Sequence, residues 1–217
     1  MGVQIDMKKQ SLSLMIILMT FFIILSVGIA GCTSQTPSAS PVTQTPSPAT
    51  GTKLSTIEPS QMILQPSEIP STLTIVEKTE RNISEMRSWA VDHGWKKGYY
   101  AMFQKNDPNS PSGTIFEQII SVYPAENITL IIPNTIDAYR NGIIAENNAN
   151  LTLDILPAPG IGDSSNALVF SDKSDNTRMY LISFVKKDVY QDFWTNGTAT
   201  DYETAKQLAG IAAAKIK

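Results

Sequence analysis

The pattern of apolar and polar positions divides the chain into three parts. Residues 12–30 form an almost uncharged apolar run. Residues 33–53 are dominated by Ser, Thr and Pro with Val42 as their sole large aliphatic residue, a segment unable to bury enough apolar area to offset its ordering entropy. Beyond residue 57 the pattern becomes periodic. Residues 72–79 predict a strand, with Leu73, Ile75 and Lys78 set among polar positions. A helix is predicted next, opened by Asn82 with Glu85 three residues on, carrying Ile83, Met86, Trp89 and Ala90 on its apolar face and stopped by Gly94. Residues 98–104 and 115–123 are aromatic and β-branched runs, two strands joined by a turn over 106–113.

Residues 126–146 have apolar positions at helical spacing, and Pro133 would either kink one helix or start a second. Strands are predicted at 151–156, 167–170, 179–185 and 189–195, with a loop at 157–162 and a turn at 172–177. A last helix follows the capping box Thr200-Asp201-Tyr202-Glu203, with Lys215 and Lys217 in its final turn, where they complement the helix dipole. The order β-α-β-β-α-β-β-β-β-α, with short strand-to-strand links, predicts one α+β domain with a mostly antiparallel sheet and helices packed on it.

The apolar run changes the picture of where the domain resides. Lys8 and Lys9 precede it, and it closes on Ile29-Ala30-Gly31-Cys32. A basic start, an apolar middle and a small-residue end are the parts of an export signal. The pattern resembles the lipobox of bacterial and archaeal lipoproteins, which implies cleavage after residue 31 and a lipid on Cys32. The alternative is an uncleaved N-terminal membrane anchor, since the run is about long enough to span a bilayer. Either way the lysines stay inside and the remainder faces outward. The expected organisation is a signal at 1–31, an anchor site and disordered linker at 32–57, and a domain at 58–217.

Charge and composition remove several functions. The formal net charge is −3, and the charges are scattered without a basic stripe, so no nucleic-acid partner is expected. Cys32 is the only cysteine, so no disulfide closes within the chain. His93 is the only histidine, no G-x-S-x-G elbow accompanies it, and its place beside Gly94 suits a helix end better than a general base. One His and one Cys cannot make the usual zinc set. The turns holding Asp107 and Asn109, and Asp172, Asp175 and Asn176, lack the spacing of a calcium loop. No metal and no cofactor is expected. Gly160-Ile161-Gly162 lacks the third glycine and the following helix of a phosphate loop, and Asp163 and Ser164 serve there as local acceptors.

Binding candidates are aromatic. Alternation places Tyr99 and Tyr100 on opposite faces of one strand, so at least one points away from the first core layer. Trp95 and Trp194, near element ends, are candidates for lining a cleft together with the 157–165 loop, including Gly160, Gly162 and Asp163; the competing expectation is that both tryptophans are core. Asn82, Asn127, Asn150 and Asn196 lie in N-x-Ser/Thr sequons and are glycosylation candidates, Asn196 foremost because it sits in a Thr-Asn-Gly-Thr turn.

The segments GWKKGYYAMFQ, ISVYPAEN, LPAPGIGDSS and TDYETAKQLAGIAAAKI resemble uncharacterised surface lipoproteins of methanogenic archaea. More remotely, the strand order, the PGIGDSS turn and the terminal helix are similar to the PsbP-like fold and to extracellular sensor domains of receptor serine/threonine kinases. That resemblance spans roughly residues 58–217 and implies architecture but no catalytic motif. The function expected from residues and resemblance together is a lipid-anchored, outward-facing, non-enzymatic domain for ligand binding, sensing or adaptor contacts with an unidentified envelope ligand or protein. The alternatives are an extracytoplasmic hydrolase with a carboxylate site and a structural or assembly factor of the envelope.

Overall fold

In a computed structural model of the chain, the residues described are 54–105, 114–145, 150–174, 177–196 and 201–217. The apolar run, Cys32 and the linker as far as residue 53 lie outside them, whereas residues 54–57, expected as linker, are bonded to the domain through Asp188 and Lys217. Among the described residues no helix is long and apolar enough to cross a membrane.

The elements follow in the order α1 (Pro59–Met62), β1 (Leu73–Arg81), a 3-10 turn (Ile83–Glu85), α2 (Ser88–Asp92), β2 (Lys97–Lys105), β3 (Thr114–Val122), α3 (Ile128–Ala145), β4 (Leu151–Leu156), β5 (Ser164–Asp172), β6 (Thr177–Lys186), β7 (Val189–Asn196) and α4 (Tyr202–Lys215). The strands make one seven-stranded sheet in the order β1-β2-β3-β7-β6-β5-β4, and every neighbouring pair is antiparallel. The domain is α+β, as the pattern predicts.

Helices cover both faces of the sheet. On one face, Ala205, Leu208, Ala209, Ala212 and Ile216 of the α4 region pack with Phe103, Phe116, Ile182, Phe184 and Phe193. Met62, Ile63 and Leu64 join the same core, all fully buried. On the other face, Ile128, Ile131 and Ile132 of α3 pack with Ala90, Trp95, Tyr123, Val185 and Tyr190, while Tyr139 lies against the cluster of Leu168, Phe170 and Leu181. Strand alternation produces this division, because successive side chains point to opposite faces. Tyr99 accordingly packs on the α4-face core, and Tyr100 stands on the α3 face.

Two expectations are revised in detail. Residues 82–94 do not make one helix: a 3-10 turn and α2 are separated by extended backbone at Met86 and Arg87, and no side chain caps either start. The break turns Arg87 so that its guanidinium lies over the Tyr139 ring, 5.9 Å from the centroid. The last helix is capped by Asp201, not Thr200. The Asp201 carboxylate accepts from Glu203 N (3.0 Å) and Thr204 Oγ1 (2.7 Å).

At Pro133 one helix runs through. The Leu130 carbonyl, beside the turn that the ring disturbs, accepts from the Asn134 side-chain amide at 2.8 Å. The spacing of Leu73, Ile75 and Lys78 also has a cause. A bulge between Ile75 and Glu77 returns Lys78 to the face of Ile75, opposite Ala101.

Candidate ligand-binding face

The two faces of β2 and β3 differ sharply. On the α4 face Ala101, Phe103, Phe116, Gln118 and Ile120 are all 2 % exposed or less. On the α3 face Tyr100, Met102, Gln104, Ile115, Glu117 and Ile119 are all half-buried. The first face is closed by the segment ahead of β1. Gln118 accepts from Leu64 N (3.0 Å) and donates to Met62 O (3.2 Å) and Gln191 Oε1 (2.9 Å). Lys215 donates to Ile63 O (2.9 Å), and Ser55 N donates to the Asp188 carboxylate (2.7 Å). The second face has no such cover among the described residues, because α3 packs over β4–β7.

Register places the open face's side chains in rows, since directly paired residues share a face. One row reads Glu77, Met102, Glu117, Trp194 and Leu181. The adjacent row reads Thr79, Tyr100, Ile119, Asp192 and Ser183. Tyr100 donates to Glu117 Oε1 at 3.1 Å. Burial pushes the Glu117 carboxyl above the usual carboxylate range, with Glu77 adding to the rise and the Tyr100 bond and Arg81 opposing it. Burial likewise raises the Tyr100 phenol, and the neighbouring Glu117 raises it further.

Under α3 the second row ends in a buried polar knot. Asp192, 4 % exposed, accepts from Ser183 Oγ (2.6 Å) and Tyr190 OH (2.5 Å) through one oxygen. Burial pushes its pKa up to about 6, opposed by those two bonds and by the nearby Arg81 and Arg87 guanidinium groups. Burial and the Asp192 charge together hold the Tyr190 and Tyr139 phenols well above their usual range. Arg81 lies at the margin between knot and open face. Burial lowers its pKa, while Glu85, at 3.8 Å, and Asp192 act to raise it.

Ser183 is fully buried with its hydroxyl committed to Asp192, so no substrate reaches it. His93 Nδ1 donates to Trp89 O (2.7 Å), and Nε2 accepts from the Asn134 amide (2.9 Å), which ties α2 to α3. Glu77 and Glu117 stand two strands apart in one row, with Met102 between them. No group of three His, Cys, Asp or Glu that could hold a metal occurs among the described residues.

The candidates named from sequence are dispersed. Trp95 is core: it is 6 % exposed and its indole N–H donates to Ser121 Oγ at 3.1 Å, so it has neither surface nor donor for a ligand. Trp194 is half-buried beside Glu117, with Tyr139 and Phe170 ring centroids 5.2 and 5.3 Å away, and this tryptophan borders the open face. The 157–165 loop clasps the β6–β7 turn instead of lining a cleft. Asp163 N donates to Val185 O (2.8 Å) and its carboxylate accepts from Lys187 N (2.7 Å). Gly160 and Gly162 have φ of 71° and 69°, and a Cβ at Gly162 would overlap the Val185 carbonyl.

Among the sequons, Asn82 and Asn150 are exposed. Asn127 donates its amide to His93 O (3.0 Å), and Asn196 pairs with Ile115 at the end of β7 rather than sitting in a turn. Asp172 accepts from Ser174 N (2.8 Å) and Ser174 Oγ (2.6 Å), ordinary turn bonding; Asp107, Asn109, Asp175 and Asn176 lie outside the described residues.

Sequence reasoning passed over Glu117, Asp192, Ser183 and Arg81. A usable signal exists in TIFEQIISV and VYQDFWTN, where a carboxylate interrupts a β-branched or aromatic strand. Such a residue must face a partner or an opening, because burying an unpaired charge is costly.

No protein-family model matches the chain, and no curated protein does. Among solved structures, the extracellular domain of PknH from Mycobacterium tuberculosis is similar in fold, with a TM-score of 0.53 at 12% identity over 72% of this chain and 93% of that one. An uncharacterised protein from Mycobacterium smegmatis aligns over 73% of this chain and 96% of its own length, with a TM-score of 0.40 at 10% identity.

Proposed function

We propose that this chain is an outward-facing, lipid-anchored binding protein whose domain senses or captures a ligand on the open α3 face of β1–β3, without catalysing a reaction. Cys32 is the lipid site, the segment after it up to residue 53 forms the spacer, and the ligand or partner belongs to the envelope, whereas residues 55–57 are tied to the domain through Asp188 and Lys217. The observation that carries the binding assignment is the contrast between the two faces of β2 and β3: alternate residues of the same strands are sealed on one side and half-open on the other. The shared fold with an extracellular domain is compatible with this location and role. Partly exposed Tyr100, Met102, Ile115 and Ile119 offer apolar and aromatic area at which a ligand can dock.

Native mass spectrometry of membrane-extracted protein tests the assignment. The expected species lacks residues 1–31, carries a lipid on Cys32, and retains a non-covalent ligand. Met102→Arg, which fills the open face from its middle strand, should remove that ligand without lowering the melting temperature. A wild type without ligand, or a ligand that survives the substitution, overturns the binding face; an unlipidated chain beginning at Met1 overturns the anchor.

A further inference from the structure

Glu117 is a carboxylate flanked by apolar and aromatic side chains, with Glu77 at the far end of its row. Ile115 and Ile119 flank it along β3, Met102 and Trp194 flank it across the sheet, and Tyr100 donates to one of its oxygens. Among the described residues no cation lies in ion-pair contact with it. The nearest relevant guanidinium, on Arg81, pairs with Glu85 instead. A half-buried, unpaired carboxylate destabilises the fold. Nothing in the packing requires the charge, because glutamine would keep an acceptor for Tyr100 in the same volume. A cation from outside the fold would therefore meet a carboxylate that no described cation occupies.

Resting on the assignment of the open face as the binding face, we propose that its ligand is a small amine, held with its ammonium group against Glu117 and its apolar body against Tyr100, Met102 and Trp194. Charge complementarity selects the sign. Glu85 and Asp192 act on Arg81, and Glu77 and Arg81 both act on Glu117, so these four carboxylates outnumber the guanidinium groups of Arg81 and Arg87. An anion would meet that excess, whereas a cation supplies the partner that Glu117 lacks. Aromatic faces add to the attraction, because a ring quadrupole favours an adjacent cation. Dimensions select a small ligand. The open patch spans β1 to β3, two strand spacings or roughly 10 Å, which fits one short alkyl or aryl chain and is far below a protein interface.

The test uses the full chain in non-ionic detergent, titrated with hexylammonium, hexanol and hexanoate and followed by tryptophan fluorescence. Hexylammonium should bind at least tenfold more tightly than hexanol, and Glu117→Gln should bring it to the alcohol's level while leaving the melting temperature unchanged or raised. Equal affinity for amine and alcohol, tightest binding of hexanoate, or full amine binding by Glu117→Gln would each overturn the amine assignment. If none of the three probes binds while a native ligand is still retained and displaced by Met102→Arg, the amine assignment fails and the binding face stands. If no ligand is retained either, both fail.

Discussion

The two faces of β2 and β3 carry similar kinds of residue and meet different fates. Phe103, Phe116 and Ile120 are sealed because the chain ahead of β1 returns across them and is locked there by Gln118 and Lys215. Tyr100, Met102, Ile115 and Ile119 have no equivalent segment among the described residues and stay partly exposed beside α3. Apolar character therefore does not decide burial here; the availability of a covering segment does. The polar residues follow the same division. Gln118, on the closed face, has partners for both ends of its amide, whereas Glu117, one residue away on the open face, has a single neutral donor.

The largest expected effect tests that contrast directly. Phe103→Ala should cost about 3–5 kcal/mol, since it leaves a cavity in a sealed core. Met102→Ala, on the neighbouring residue of the same strand, should cost under about 1 kcal/mol, because water already reaches the site. Urea unfolding of the two variants measures the difference, and equal losses would mean that the α3 face is closed.

The next effect sharpens the boundary between the covered and open halves of the α3 face. Asp192 is buried, and its carboxyl titrates near 6 in the folded protein, above its unfolded value. A group raised in this way favours the folded state when protonated. Its contribution is complete below the unfolded pKa, near 4, and is lost as pH rises through about 6. Thermal stability should therefore fall between pH 4 and pH 7, by roughly 1–3 kcal/mol. Asp192→Asn should flatten that dependence. A wild-type profile that rises over the same window would place Asp192 in a solvated or ion-paired setting.

The smallest effect concerns the tie that holds the cover in place. His93 joins the end of α2 to α3 through Trp89 O and Asn134, so His93→Ala should cost about 1 kcal/mol and leave ligand retention intact. A preserved melt with abolished ligand retention would move the binding site toward α2.

Much of the secondary structure is legible locally. The strands at 98–104 and 115–123 announce themselves by β-branched and aromatic runs, and α4 by its acidic cap and alanine-rich stripe. Residues 82–94 show the limit. They carry the Asn82–Glu85 spacing of a capping box, yet Asn82 makes no cap bond and the chain breaks at Met86, where Arg87 turns toward Tyr139 some fifty residues away in sequence. The site was less legible than the fold. Trp95 and the 157–165 loop have the composition of binding elements, but the indole is spent on Ser121 and the loop's acceptor on Lys187. Alternation alone puts Tyr99 and Tyr100 on opposite faces, because a strand's period of two is a local property; which of the two faces α4 is decided by the packing.

The amino-acid order by itself determined the element types, the antiparallel connections forced by short links, and the lipobox-like ending of the apolar run. Those follow from periodicity, cap chemistry and chain length, which neighbouring residues specify among themselves. Tertiary structure decided which face of β2 and β3 would be covered, and so whether Glu117 would lie among partners or beside an opening. That outcome depends on where residues 54–64 and 128–145 come to rest on the sheet. Their positions are set by long-range pairing, Gln118 with Leu64 and Asp192 beneath α3, and no local pattern encodes it.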